Sequence, residues 1–180
     1  MKQVDSIDGV ISTNPSIFGD NRGKFAELQT TRIDFGYNFH PLQTAISISK
    51  KGVLRGMHYH KEFKQNQLVT VIEGEIIDVV LDMRKGSKTF GNHCKFHLSS
   101  DNFDQVFMPL GTAHGFYAIS DTVKLIYHVD QLYDVSMEAG INCLDGYLDI
   151  QWPKSDFTMS ERDKYFPSFK DAVLWYEAKN

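Results

Sequence analysis

The fold of this chain is decided by residues 52–82, GVLRGMHYHKEFKQNQLVTVIEGEIIDVVLD. Two runs, at 67–72 and 75–83, are rich in β-branched and other apolar residues, and they flank a Glu-Gly pair at 73–74. Two such runs around a glycine-containing turn predict a β-hairpin. The stretch therefore indicates a sheet-based fold rather than a helical one.

Polar side chains begin the same stretch. One residue separates His58 from His60, and Arg55 precedes both. Because a strand directs alternate side chains to one face, we expect the two imidazoles to point the same way. This arrangement is typical of a polar site inside a barrel.

Further short segments with strand character are separated by clusters of Ser, Asp, Asn, Gly or Pro. They are an initial strand within 1–18, then Lys24–Leu28, Gln43–Ser49, His93–Leu98, Gln105–Met108, Gly115–Ile119 and Thr122–Val129. Many short strands at this spacing are typical of an antiparallel sandwich or barrel. Residues 29–41 favour a short helix or a loop, and Ser168–Ala178 has a helical pattern with a serine cap candidate.

Length and charge limit the classes of protein to which the chain can belong. The 180 residues predict one domain, with a core at about 8–165 and a helical tail at 166–180. The net charge is −4, so no overall basic field attracts nucleic acid. The chain has two distant cysteines, no signal-peptide pattern and no membrane-length apolar run, which favours a cytoplasmic location.

A second motif, Pro-x-Gly-x-x-His at 109–114, follows the early Gly-x-His-x-His at 56–60. The two resemble the signature stretches of cupins, which implies an all-β, cupin-type jelly-roll barrel with a short C-terminal helical segment. Metal-binding cupins carry a glutamate where this chain has Gln67. A neutral amide is a poorer ligand for a divalent ion than a carboxylate, so we expect neither a metal nor another cofactor.

Several further motifs occur in one order along about residues 8–165. They are Asp20–Glu27, Gly52–His58, Pro109–Phe116, Tyr127 with Tyr133, Glu138–Ile141, Trp152-Pro153 and Ser160–Asp163. This set resembles the dTDP-4-dehydrorhamnose 3,5-epimerase family of nucleotide-sugar epimerases. The resemblance implies a metal-free cupin of deoxysugar and lipopolysaccharide biosynthesis, and a homodimer that exchanges strands.

Epimerisation beside a ketone requires a base, stabilisation of an enolate, and an acid on the opposite face of the sugar. Histidine suits the first role because its pKa lies near neutrality. By resemblance, His58 is the base, Asp163 orients it, and Tyr127 is the acid. Alone, Asp163 would be interpreted as a cap or surface carboxylate, and Tyr127 as packing.

The resemblance also implies substrate contacts. Arg22 and Arg55 would bind the substrate, including its diphosphate, through charge-assisted hydrogen bonds. His114 would lie beside the keto group or the His–Asp pair. The side chains that would hold the nucleotide base and the sugar are Phe25, Glu27 and Tyr133.

Three positions depart from the family pattern. Gln67 stands where a lysine usually stabilises the enolate oxygen, and Lys64 is a nearby candidate to replace it. Ala45 replaces a common Asn, and His60 replaces a common Gln, with a structural or a substrate-contact role left open. These changes favour an altered substrate more than altered chemistry.

The expected function is cofactor-independent epimerisation of a nucleoside-diphosphate 4-keto-6-deoxy sugar at carbon 3, carbon 5 or both, with dTDP as the expected nucleotide. Two alternatives stay open. One is a metal cupin enzyme that uses His58, His60 and His114 as ligands. The other is a non-catalytic cupin that binds a sugar nucleotide.

Overall fold

A computed structural model describes residues 2–3, 6–28, 35, 38–153 and 156–173. Its strands, numbered in chain order, are β1 (Lys2–Gln3), β2 (Ile11–Thr13), β3 (Ile17–Asp20), β4 (Gly23–Ala26), β5 (Gln43–Lys50), β6 (Leu54–His60), β7 (Gln67–Glu73), β8 (Glu75–Asp82), β9 (His93–Ser99), β10 (Gln105–Met108), β11 (Thr112–Ala118), β12 (Thr122–Val129) and β13 (Glu138–Gly140). The predicted strands at 43–49, 93–98, 105–108 and 122–129 are confirmed to within one residue. Most of the aromatic segment at 29–41 lies outside the described residues.

Two antiparallel sheets face each other. One has the order β1-β2-β10-β7-β12-β5, and the other has the order β13-β6-β11-β8-β9. From β5 to β13 the chain passes from one sheet to the other at every step except β8 to β9, which are paired neighbours, and this is the connectivity of a jelly roll. The all-β jelly-roll prediction is therefore confirmed.

The predicted β-hairpin between β7 and β8 is wrong. β7 pairs with β10 and β12, whereas β8 pairs with β9 and β11, so the two strands lie in different sheets. Gly74 makes the corner at φ +80°, and a Cβ there would lie 2.3 Å from the carbonyl oxygen of Thr122. A tight corner and a hairpin turn both require such a glycine, so local sequence does not distinguish them.

Apolar side chains from both sheets fill one half of the space between them. The members of this buried cluster are Ile7, Val10, Val69, Val71, Ile76, Val80, Cys94, Leu98, Val106, Met108, Phe116, Ala118, Val123 and Leu125. On β8, the intervening Val79 and Leu81 belong to a second cluster, which includes Phe169 and Ala172 of the C-terminal segment. Because side chains alternate along β8, its two faces pack into two different apolar clusters.

The C-terminal segment contains a short helix that the sequence prediction missed. This helix, α1 (Glu161–Lys164), begins after Ser160, whose hydroxyl accepts a hydrogen bond from the Asp163 N–H. Residues 169–173 are also helical, in agreement with the start of the predicted tail helix, and residues 174–178 lie outside the described part. No helix among the described residues combines the length and the apolar character that a membrane span requires.

Candidate active site

A cavity of about 540 Å³ opens between the two sheets, beyond the apolar cluster. Both sheets and the α1 region contribute side chains to its wall. The sequence-predicted site residues among them are Arg55, His58, His60, Gln67, His114, Tyr127 and Tyr133. The fold therefore brings together residues that are up to 78 positions apart, from 55 to 133.

A β-bulge directs the β6 side chains into this cavity. His114 of β11 lies opposite His58, but Phe116 lies opposite Arg55, so β6 carries one extra residue. Arg55 and His58 consequently both line the cavity although they are three positions apart. A Cβ at Gly56 would lie 2.6 Å from the His114 carbonyl oxygen, so only glycine permits this close approach.

His58 and Asp163 form a hydrogen-bonded pair. The distance from His58 Nε2 to Asp163 Oδ1 is 2.9 Å, and the His58 side chain is 29% exposed. Because an ionised carboxylate only accepts hydrogen bonds, Nε2 carries the proton and Nδ1 keeps a lone pair. The pairing therefore fixes a His58 tautomer whose Nδ1 can accept a proton.

Asp163 is almost completely buried, and the surrounding polar groups hold it ionised. Its Oδ2 accepts the Gly56 N–H at 3.2 Å. Burial by itself would raise the pKa of Asp163, but the hydrogen bond and charge of His58, with the Gly56 N–H and the Ser160 hydroxyl, lower it overall. The carboxylate is therefore available to stabilise a protonated His58.

Tyr127 lines the same cavity as His58 but comes from the other sheet. It extends from β12, whereas His58 extends from β6, and both line the cavity. The Tyr127 hydroxyl lies 3.2 Å from Ser47 Oγ. Burial raises the pKa of Tyr127 to about 12, although Ser47 and Arg55 act to lower it. The phenol therefore stays protonated at neutral pH, as a proton donor must.

A second histidine–carboxylate pair lies deeper in the site. His114 Nε2 lies 2.5 Å from Asp78 Oδ1, and both residues are buried. The other oxygen, Asp78 Oδ2, has no hydrogen-bond partner within the described part of the chain. Sequence reasoning missed Asp78; its signal was an acidic residue between inward-facing Ile76 and Val80.

Glu138 forms a polar network at the cavity wall. It accepts hydrogen bonds from Arg162 at 2.7 Å and from the Tyr133 hydroxyl at 3.1 Å. Its Oε1 also lies 3.8 Å from His58 Nδ1. Burial would raise the pKa of Glu138, but Arg162 and His58 lower it. The Glu-x-Gly motif marked this position in the sequence without assigning it a role.

Three predicted substrate contacts lie outside this cavity. Arg22 and Phe25 belong to the separate β3–β4 sheet, and Glu27 follows it. Phe25 is 63% exposed, and Arg22 pairs with Asp20 at 2.6 Å. Within one chain, the fold does not bring these side chains to His58.

The predicted replacement for the family lysine also lies elsewhere. Lys64 pairs with Glu62 at 2.7 Å, and its side chain is 67% exposed. It does not line the cavity, whereas the uncharged Gln67 does. The cations among the described cavity-lining residues are Arg55 and Arg162.

One imidazole nitrogen of each of the three candidate metal ligands is hydrogen-bonded within the protein. His58 and His114 bond carboxylates through Nε2, and His60 Nδ1 accepts the Glu62 N–H. Among the described residues, no three or more His, Cys, Asp or Glu side chains are grouped to hold a metal ion.

Comparisons with known proteins place the chain in a family. A family model for dTDP-4-dehydrorhamnose 3,5-epimerase matches residues 5–171. An enzyme of that name from Methanothermobacter thermautotrophicus is 37% identical, and the match covers 94% of this chain and 95% of the relative.

Two solved structures are similar over most of the chain. The epimerase RmlC from Legionella pneumophila, in complex with dTDP-4-keto-L-rhamnose, has a TM-score of 0.87 and 36% identity, covering 91% of this chain and 89% of that one. ChmJ, a 3'-monoepimerase from Streptomyces bikiniensis in complex with dTDP-quinovose, has a TM-score of 0.91 and 30% identity, covering 97% and 90%. This chain belongs to the dTDP-4-dehydrorhamnose 3,5-epimerase family of nucleotide-sugar isomerases.

Proposed function

We propose that this chain epimerises a nucleoside-diphosphate 4-keto-6-deoxy sugar without a cofactor, at carbon 3, carbon 5 or both. The observation that carries the proposal is the placement of His58 and Tyr127 on opposing walls of one cavity. A sugar ring between the two sheets would present one face to each residue. The cavity of about 540 Å³ is within the usual range for small-molecule sites.

The reaction begins when His58 Nδ1 removes the proton from the carbon beside the ketone. The electrons of that C–H bond form an enolate, with negative charge on the carbon-4 oxygen. Asp163 stabilises the resulting imidazolium, and Glu138 adds a second carboxylate nearby. The Tyr127 hydroxyl then donates its proton to the same carbon from the opposite face.

The protons that leave and enter the sugar are equal in number over one catalytic cycle. One C–H bond is broken and another forms on the other face, so the sugar is isomerised without oxidation or reduction. Solvent takes the proton from His58 and returns one to the Tyr127 phenolate. Arg55, which acts to lower the Tyr127 pKa, stabilises that phenolate in the interim.

We propose the nucleotide and the number of inverted carbon centres by comparison with relatives. The Legionella and Streptomyces structures contain dTDP sugars, so dTDP is the first nucleotide to test. One of those relatives is a 3'-monoepimerase, whereas the family is named for action at carbons 3 and 5. The cytoplasmic location remains a prediction from the sequence.

We also propose a homodimer that completes the site. β5 is an edge strand whose Ile46 and Ile48 are 54% and 62% exposed. In the β3–β4 hairpin, Phe18 and Phe25 are 59% and 63% exposed. An apolar edge strand and an unsupported aromatic hairpin are features that a partner subunit normally covers. In such a dimer, Arg22, Phe25 and Glu27 would reach the partner's cavity and hold the nucleotide.

The test is hydrogen exchange in deuterium oxide with dTDP-4-keto-6-deoxyglucose, followed by proton NMR of the sugar. We expect loss of the signals at carbon 3, carbon 5 or both, and no loss with His58→Ala. His97→Ala is the matched control, because His97 lies on β9 in an exposed pair with Glu75.

Each alternative function predicts a different experimental result. Tight binding of every nucleotide sugar tried, without exchange, would favour the non-catalytic binding protein. A stoichiometric transition metal in purified protein, with activity lost on its removal, would favour the metal cupin. Full exchange by His58→Ala would show that another group is the base.

A further inference from the structure

The enolate oxygen formed in the proposed reaction needs hydrogen-bond donors that point into the cavity. Of the two arginines that line the cavity, Arg162 is held by Glu138, and Arg55 donates to Ser49 at 3.0 Å and to the Ile48 carbonyl at 3.4 Å. Gln67 supplies a neutral side-chain amide on the cavity wall. A single neutral donor stabilises an oxyanion less than a cation does, so a second donor is needed.

His60 can supply that second donor from the cavity wall. It lies on β6 two positions after His58, and it lines the same cavity. Its Nδ1 accepts the backbone N–H of Glu62 at 3.2 Å. A nitrogen that accepts a hydrogen bond carries no proton, so the neutral ring must carry its proton on Nε2. In the described part of the chain, Nε2 has no protein partner.

The surroundings of His60 favour the neutral ring. Burial lowers the His60 pKa, and the Lys64 charge lowers it further. The carboxylates of Glu62 and Asp134 oppose this effect, and Glu138 lies opposite His60 in the β6–β13 pairing. The overall direction is downward, so the ring is a neutral hydrogen-bond donor near pH 7.

We propose that the His60 Nε2–H and the Gln67 side-chain amide together bind the enolate oxygen as a pair of neutral donors, in place of a charged one. This inference rests on the proposed epimerase function and adds the oxyanion site to it. A neutral imidazole can polarise a carbonyl without becoming an imidazolium. Such a donor also cannot protonate the enolate oxygen as readily as a cationic acid, so the proton is left for carbon.

The first arm of the test reads the tautomer without any substrate. Nitrogen-15 NMR of the imidazole rings, with His60→Gln used for assignment, would give the protonation state of each nitrogen at pH 7. We expect a neutral ring with the proton on Nε2. A proton on Nδ1, or a doubly protonated ring at pH 7, would overturn the inference whatever the substrate is.

The second arm measures catalysis by His60→Ala, His60→Gln and His60→Ala with Gln67→Lys. Loss of one oxyanion donor lowers kcat by about 10²-fold or more, and we expect that loss for His60→Ala with little change in KM. His60→Gln keeps an N–H donor and should recover most of the rate. Gln67→Lys should recover part of the rate in the His60→Ala background, because a cation would replace both neutral donors.

The outcomes separate this inference from the proposed function. Normal exchange by the wild-type protein and by His60→Ala would overturn only the oxyanion role of His60, as would a defect confined to KM. No exchange by the wild-type protein with any nucleotide sugar would overturn the epimerase and this role with it. His97→Ala again serves as the control, and if His60→Ala is unfolded by circular dichroism, His60→Leu replaces it.

Discussion

The two halves of the space between the sheets are built from the same strands but have opposite chemistry. In the half filled by the apolar cluster, here called the closed half, β12 contributes Val123 and Leu125, and β7 contributes Val71. In the half that holds the cavity, here called the open half, the same two strands contribute Tyr127 and Gln67. One set of strands therefore supplies both a packed core and a polar site.

This difference shows how the fold separates stability from chemistry. Leu125 is fully buried among apolar neighbours, so its contribution is packing. In the open half, the buried Asp163 carboxylate is satisfied by its hydrogen bond with the partly exposed His58. Substitutions in the closed half should lower stability, and substitutions in the open half should lower turnover.

The largest effect is expected for Asp163→Asn. An amide at this position would favour the wrong His58 tautomer, and the corresponding change in a histidine–aspartate pair lowers kcat by about 10⁴-fold. That is roughly 5 kcal/mol of transition-state stabilisation, and steady-state epimerisation would measure it. Glu161→Gln on the same helix is the control, because Glu161 pairs with Lys164 at the surface. An Asp163→Asn enzyme within tenfold of wild type would contradict the pairing role.

Tyr127→Phe should lower the epimerisation rate by about 10³-fold, in the middle of the range for loss of a general acid. Because His58 is intact, proton removal can still occur, so exchange at one carbon can persist while inversion fails. Proton NMR in deuterium oxide distinguishes the two. The control is Tyr147→Phe, since the Tyr147 ring is 77% exposed. Unchanged inversion would assign the acid to another residue.

Leu125→Ala tests the closed half. Removing a fully buried leucine side chain leaves a cavity and should lower the free energy of unfolding by about 3 kcal/mol. Urea denaturation measures this change, and kcat at a temperature where the variant is folded should stay within about threefold of wild type. Leu132→Ala, at a residue that is 68% exposed, should be nearly neutral. A large loss of kcat in folded Leu125→Ala would break the proposed separation.

The smallest effect concerns acid stability in the open half. The Asp163 pKa is lowered in the folded protein, so its stabilising contribution is fully present above the unfolded value, near pH 4, and is lost as pH falls through the folded value. Between pH 6 and pH 3, the wild type should therefore lose more stability than Asp163→Asn. Urea midpoints at both pH values measure the difference. Equal losses would mean that the folded pKa is not lowered.

Local pattern predicted most of the strands, and the family resemblance singled out much of the cavity wall. The limits of β10 and β12 were predicted to the residue, because alternation and turn residues act over a few positions. The same reasoning failed at Gly74, where a turn between sheets has the local sequence of a hairpin. It also missed Asp78, because a buried acid has no local signature apart from its apolar neighbours.

Local sequence indicates which residues are extended and which strand faces are polar, since strand geometry is a local property of the backbone. The resemblance to the family motifs singled out His58, Tyr127 and Asp163. The resemblance implied the His58–Asp163 pair, and the folded chain brings the two residues together across 105 positions. The placement of β7 and β8 in different sheets is visible only in the tertiary structure. Such pairings depend on the packing of the whole chain, because the contacts that stabilise them come from segments distant in sequence.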